Sequence, residues 1–332
     1  MRGVHNMNGV MKSIKQYFRE NLGIMIGFIT LCIIVTVMNP KFLSSANLLN
    51  VARQMFSNCN LALGMGLVII SGGIDLSVGA VMALSGTLCA GMIAHGTLPM
   101  VPAILVGLVV GIAVGTANGW IISKLALPPF IVTMAVQQIC RGLVYIYADG
   151  QPIRCMHDAY NYLGNGYIAN VIPITICYSI FFLIVFWILL SKTQLGRRIY
   201  AIGGNVTAAR FSGINVDKTR MTVFAISGFM AAFAGVIYCG RMYSGQPTLG
   251  EGDETNAIAA VVLGGTSFNG GIGKIGGILI GVFVIAVLSN ALNLLHINSF
   301  WQLVAKGAVI LLAVTIDTLK KRGMFTVRKA RA

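Results

Sequence analysis

The chain has 332 residues, of which 56% are hydrophobic and 10% charged, and its mean hydropathy is +0.82. That composition excludes a soluble globular protein, which needs a far more polar surface. The formal net charge of +15 would suit a nucleic-acid binder, but the placement of the cations argues against one.

The apolar residues fall in ten blocks, near 22–38, 48–70, 76–94, 100–122, 128–148, 171–190, 221–240, 255–267, 275–290 and 299–318. Most have the length of a helix that crosses the hydrocarbon core, roughly 17–25 residues. They predict an all-α polytopic integral membrane protein with about ten transmembrane segments and both termini cytoplasmic. The expected layout is a tail over 1–21, a membrane domain over 22–318 with an inner loop at about 191–220, and a basic tail over 319–332. The eighth block is short, as a broken or re-entrant helix would be. In this frame Arg2, Lys12, Lys15 and Arg19 lie inside, as do Lys192, Arg197, Arg198, Arg210, Lys218 and Arg220. Lys320, Lys321, Arg322, Arg328, Lys329 and Arg331 follow the last block, and Lys124 and Lys274 fall in inner turns. Only Lys41, Arg154 and Arg241 fall outside, which is the bias expected of a multi-pass protein. Shifting the frame by one crossing would export the basic 192–220 loop. The cations therefore point to anionic membrane lipid and not to nucleic acid.

The first block is followed by Asn39-Pro40-Lys41 and not by a small-residue cleavage site, so it is expected to stay as a helix. The second carries Gln54, Asn58 and Asn60. It runs into Ser71-Gly72-Gly73-Ile74-Asp75-Leu76-Ser77-Val78-Gly79, which breaks the helix and sets one carboxylate between apolar blocks. Such a charge is costly unless paired or hydrated. Gly72, Gly73, Asp75 and Ser77 fit either a tight turn, with Ser77 or Asp75 capping the next helix, or a gate or partner contact. In the fourth block Gly107, Gly111, Gly115 and Gly119 recur every four residues on one face, and Gly273, Gly277 and Gly281 repeat the pattern later. That spacing allows close helix packing or sliding. Asn118 lies in the fourth block, Gln137 and Gln138 in the fifth, and Asn290 and Asn293 near the end of the ninth. Together with Gln54, Asn58 and Asn60 they could line a polar route or bond neighbouring helices.

In the inner loop, Asn205 can N-cap a short helix from Val206 to Ser212, which Gly213 would stop. Such a helix fits either a groove on another protein or the membrane surface. A second Gly-Gly break stands at Gly264-Gly265-Thr266-Ser267. No catalytic or metal constellation stands out. His5, His95, His157 and His296 have no ligand spacing, and the seven cysteines form no disulfide or metal pattern. Gly271-Ile272-Gly273-Lys274-Ile275-Gly276 matches a dinucleotide fingerprint only by letter, since it precedes a membrane helix. There is no phosphate-binding Gly-x4-Gly-Lys-Ser/Thr loop, so the chain is not expected to hydrolyse ATP.

From about Asn39 to Asp317 the chain resembles the ribose- and galactose-type permeases of ATP-binding-cassette (ABC) sugar importers. The segments that carry the resemblance are Ile69 to Gly79, Gly196-Arg197-Arg198-Ile199-Tyr200-Ala201-Ile202-Gly203-Gly204-Asn205, Ser212-Gly213-Ile214-Asn215, and Ala257 to Ser267. Gly245-Gln246-Pro247-Thr248 fits the ribose-type members. The resemblance implies a multi-pass subunit of the bacterial inner membrane that passes a small sugar by alternating access. It implies a second permease subunit, a cytoplasmic ABC ATPase that holds ATP and Mg, and a periplasmic or lipid-anchored sugar-binding protein. It also implies that Gly203, Gly204, Asn205, Ala208, Ala209, Ser212 and Gly213 couple to the ATPase. One departure is Glu254-Thr255-Asn256, where the family usually has Glu-Leu-Asp. The rivals are an ion-coupled secondary sugar transporter, which needs a deep carboxylate or sodium site, and a membrane enzyme acting on lipid-linked sugars.

Overall fold

The computed structural model describes residues 22–321; both terminal tails, with His5 and the flanking cations, lie outside that range. Every one of the ten apolar blocks coincides with a helix. In chain order these are α1 (Leu22–Met38), α2 (Ser45–Ile70), α3 (Val78–Ala94), α4 (Met100–Lys124), α5 (Pro129–Tyr147), α7 (Ile174–Lys192), α10 (Val216–Met242), α11 (Asp253–Leu263), α12 (Ile275–Leu294) and α13 (Ser299–Lys321). Three short helices lie between them: α6 (Asp158–Asn165), α8 (Gln194–Gly204) and α9 (Val206–Phe211). The only strands among the described residues are two-residue pairs. β1 (Ile153–Arg154) pairs antiparallel with β4 (Ser244–Gly245), and β2 (Tyr167–Ile168) with β3 (Ile172–Pro173). By length and composition, α4, α5, α7, α10 and α12 are each able to cross a membrane.

α10 is the central helix, and its interior residues are buried along most of its length. The glycine ridge of α4 lies against it. A Cβ on Gly111 would overlap Ala232 and the Gly228 carbonyl, one on Gly115 the Phe224 carbonyl, and one on Gly119 would come 2.6 Å from the Met221 Cα. The ridge is thus a backbone contact surface, where small residues let two helices approach closely. On the other side of α10, Phe229 and Phe233 pack with Phe182 and Tyr178 of α7 and with Phe56 of α2. α11 and α12 meet in the same way as α4 and α10, with Gly264 against Gly277 and Ala260 against Gly281.

One member of the bundle is short. α11 has 11 residues and rises about 16 Å, roughly half the hydrocarbon thickness. The helix ends at Leu263, so Gly264 to Ser267 lie beyond it and not inside it as the eighth block suggested. α3 has 17 residues and starts only after the break at residues 71–77. The heads of these two helices touch, since a Cβ on Gly79 would overlap the Gly250 carbonyl and the Glu254 carboxylate. From that meeting point α3 runs toward the β1–β4 pair, where Thr87 Oγ1 donates to the Gln246 carbonyl at 3.4 Å. α11 runs the opposite way, toward α8 and α9.

Candidate functional site

Asp75 is 1% exposed and lies in the break between α2 and α3. Its Oδ1 accepts from the backbone N–H of Ser77 at 3.0 Å and from the Ser77 hydroxyl at 2.6 Å, and its Oδ2 accepts from Ser227 of α10 at 2.8 Å. Asn118 of α4 donates to the Ser77 hydroxyl at 3.0 Å. Thr133 of α5 accepts from the Leu76 N–H at 3.1 Å. Ser77 stands at the N-cap position of α3 but makes no capping bond; its hydroxyl is drawn to Asp75 instead. The carboxylate therefore ties the break to α10 and, through Ser77, to α4. An uncompensated charge here would be costly, and three donors offset that cost.

The short helix in the inner loop forms as its sequence indicates. Asn205 accepts from the Ala208 N–H at 2.9 Å, and Gly213 leaves the helix at φ 79°. Ala209 is buried against Ile202 and Val216, which seats α9 on α8 and α10. Gly204, Asn205, Ala208, Ser212 and Gly213 stay exposed, and Phe211 is 89% exposed at the tip. Asp217 lies between Lys124 at 3.7 Å and Arg210 at 3.6 Å, bracing the base of the projection.

Behind α9 three glycine-containing segments converge. A Cβ on Gly203 would overlap the Ile70 carbonyl and come 2.5 Å from the Gly271 nitrogen. One on Gly270 would come 3.0 Å from the Cα atoms of both Gly203 and Gly72. The Gly271 N–H donates to the Ile70 carbonyl at 2.9 Å. Gly72, Gly270 and Gly271 all have positive φ, between 73° and 86°, which glycine adopts without strain. So the break after α2, the loop after α11 and the α8–α9 knee meet backbone to backbone. Tyr200 of α8 adds a bond to the Gly273 carbonyl at 2.7 Å, and burial pushes its phenol up, so it stays a neutral donor.

At the touching heads of α3 and α11, a cavity of about 230 Å³ is lined by Gln137, Gln138 and Arg141 of α5 and by Glu251, Gly252 and Glu254. Gln137 Nε2 donates to Glu254 Oε1 at 3.2 Å. Arg141 donates to the carbonyls of Pro247 and Leu249, the latter at 2.8 Å, which pins the segment leading into α11. Asn256, where the resembled family has an acid, is buried and bonds Asp253 at 3.1 Å.

The other intrahelical amides go elsewhere. Asn290 of α12 and Asn47 of α2 exchange two bonds of 2.9 Å, which is helix-to-helix binding. Asn60 bonds its own helix at the Phe56 carbonyl, and Asn293 accepts from Gln302 at 2.9 Å. Gln54 Oε1 is buried and Asn58 half-buried, both on α2. Only Gln137 and Gln138 of the amide set line the cavity. Glu254 and Arg141 join them unannounced by the amide pattern; an acid heading a short apolar block was the available signal.

A bundle of apolar helices with one half-length member, a polar cavity at its head and a helix projecting at one end has the architecture of a multi-pass membrane transport subunit. The chain belongs to the family described as branched-chain amino acid transport system / permease component, whose model matches residues 47–314. It is 47% identical over 303 residues to the ribose import permease protein of Bacillus subtilis (strain 168), covering 91% of this chain and 94% of that one. It is 40% identical over 302 residues to the ribose import permease protein of Escherichia coli (strain K12), covering 90% and 93%. The L-arabinose transport system permease protein of the same strain is 36% identical over 328 residues, covering 96% and 98%. No solved structure gives a significant match. The resemblance read from the segments at 69–79, 196–205, 212–215 and 257–267 is thus borne out over most of the chain, and the protein is a transport component and not an enzyme.

Proposed function

We propose that this chain is the permease subunit of an ABC importer that passes a monosaccharide, of the pentose or hexose class, across the bacterial inner membrane by alternating access. Two permease subunits would form the pathway. ATP and Mg would be held by cytoplasmic ABC ATPases, and a periplasmic or lipid-anchored protein would deliver the sugar. The import role and the sugar class rest on relatives named for ribose and arabinose. The ion-coupled alternative finds no support among them.

The observation that carries the mechanism is the placement of α9. Its exposed face, with an almost fully exposed Phe211, offers a partner an apolar anchor. The α8–α9 knee behind it, at Gly203 and Gly204, joins backbone to backbone with the breaks that follow α2 and α11. A push on α9 therefore passes through the α8–α9 knee to the segments that join α2 to α3 and α11 to α12. The push shifts the cycle only if the partner binds α9 differently in its two states; equal affinity moves nothing. In the ten-crossing frame, residues 244–252 enter from the outside as irregular chain and α11 completes the passage. Non-helical backbone at that depth is tolerated where it is enclosed by protein or lines a cavity.

The test is uptake of D-ribose into proteoliposomes holding the permease, its ATPase and the binding protein. Uptake is expected to require the ATPase and to persist when ionophores collapse the proton and sodium gradients. Uptake by the permease alone, or uptake stopped by ionophores, would overturn the proposal.

A further inference from the structure

We infer that the cavity between α5 and the head of α11 is where the moving sugar touches this subunit, with Glu254 and Gln137 as the pair that reads its hydroxyls. This rests on the sugar reading above and adds the contact residues.

The first ground is a carboxylate oxygen with acceptor capacity to spare. Glu254 lines the cavity and its Oε1 takes a bond from Gln137, while Oε2 is buried against Gly79. A carboxylate oxygen has two lone pairs, so Oε1 can take a ligand hydroxyl beside the Gln137 amide. The second ground is the chemistry of the wall. A hydroxyl both donates and accepts, and so does a primary amide, whereas a carboxylate accepts at two oxygens. Gln137, Gln138 and Glu254 together can therefore engage neighbouring hydroxyls on one face of a polyol.

Other ligand classes fit less well. No aliphatic side chain lines the cavity, so a branched-chain amino acid would meet only the methylene stems of polar side chains. A cation would meet Arg141 in the same wall, and among the described residues no cluster of His, Cys, Asp and Glu is placed to hold a metal. At about 230 Å³ the cavity holds far more than a single water. Its position is also apt. Glu254 touches Gly79, so the carboxylate lies where the heads of α3 and α11 meet, and any relative shift of the two helices moves it.

The test uses the assembled transporter in proteoliposomes with D-ribose and, separately, L-leucine as probes, reading uptake and ATP hydrolysis together. Glu254→Gln is expected to lower D-ribose uptake about tenfold while ATP hydrolysis stimulated by the loaded binding protein continues. Gln138→Ala, an exposed position whose truncation cannot unfold the bundle, is expected to lower uptake several-fold with the same hydrolysis. The assignment is overturned by unchanged D-ribose uptake in Glu254→Gln, or by equal loss of uptake and hydrolysis, the mark of a merely structural residue. If Glu254→Gln fails to insert, Gln138→Ala decides, and its unchanged uptake overturns the assignment. A parent transporter that carries L-leucine and not D-ribose would instead overturn the sugar reading.

Discussion

Asp75 shows how one side chain can hold a discontinuity open. Residues 71–77 leave the helical path, and their backbone groups need partners away from water. The carboxylate supplies one for the Ser77 N–H, takes the Ser77 hydroxyl as well, and reaches Ser227, 152 positions along the chain. Removing the Ser227 hydroxyl leaves Oδ2 without its donor. Ser227→Ala is therefore expected to destabilise the protein by about 1–3 kcal/mol, measured as a lower midpoint of thermal denaturation in detergent. An unchanged midpoint would show that the bond contributes nothing. Asp75 was conspicuous in the sequence because it is a charge between apolar blocks. Its partners were not, because no spacing rule links position 75 to position 227. Ser77 differs: its local pattern reads as a cap, but its hydroxyl is claimed by the carboxylate two residues before it.

At the scale of elements, adjacent glycines on the α8–α9 knee have opposite tolerances. A Cβ on Gly203 would overlap the Ile70 carbonyl, whereas one on Gly204 meets nothing within 4 Å. Gly203→Ala is expected to cut ATP-driven uptake at least tenfold while the protein still inserts in the membrane. Gly204→Ala is expected to stay within about twofold of the parent chain. Both are read by vesicle uptake normalised to membrane-embedded protein, and equal effects would discard the junction as a route for force. Overpacking of this kind typically costs about 1–3 kcal/mol, too little by itself to prevent insertion. Helix positions were largely legible in the sequence, since lipid-exposed helices must be long, continuous and apolar. The helices that escaped, α6 and α8, are short and carry polar faces. In α8 the buried Ile199 and Ile202 stand three residues apart, a sparse signal beside Arg197 and Arg198.

At the scale of the molecule, the ten-crossing frame assigns opposite sides to two exposed sites. Ser212→Cys, at the C-cap of α9, is expected to react with a membrane-impermeant maleimide only in inverted vesicles, and Met156→Cys, in the segment after β1, only in intact spheroplasts. The native cysteines among the described residues are buried or half-buried, which keeps the background low. Labelling of Ser212→Cys from outside would invert the frame. The candidate site was legible in part. Gln137 and Gln138 stood out as amides in an apolar block and do line a cavity, while Asn290 and Asn47 spend theirs on each other. Composition cannot distinguish these uses, because a helix-to-helix amide and a cavity amide look alike until the neighbouring helix is placed.

The meeting of Gly72, Gly203 and Gly270–Gly271 consists of main chain alone. Peptide groups have no ionisable proton near neutrality and no net charge for counter-ions to shield. The junction itself is therefore indifferent to acidity and ionic strength. The outer grip on the partner is not, because Arg210, Lys218 and Asp217 stand beside it. Salt is therefore expected to act on that docking joint, while the main-chain linkage behind it acts as a neutral hinge.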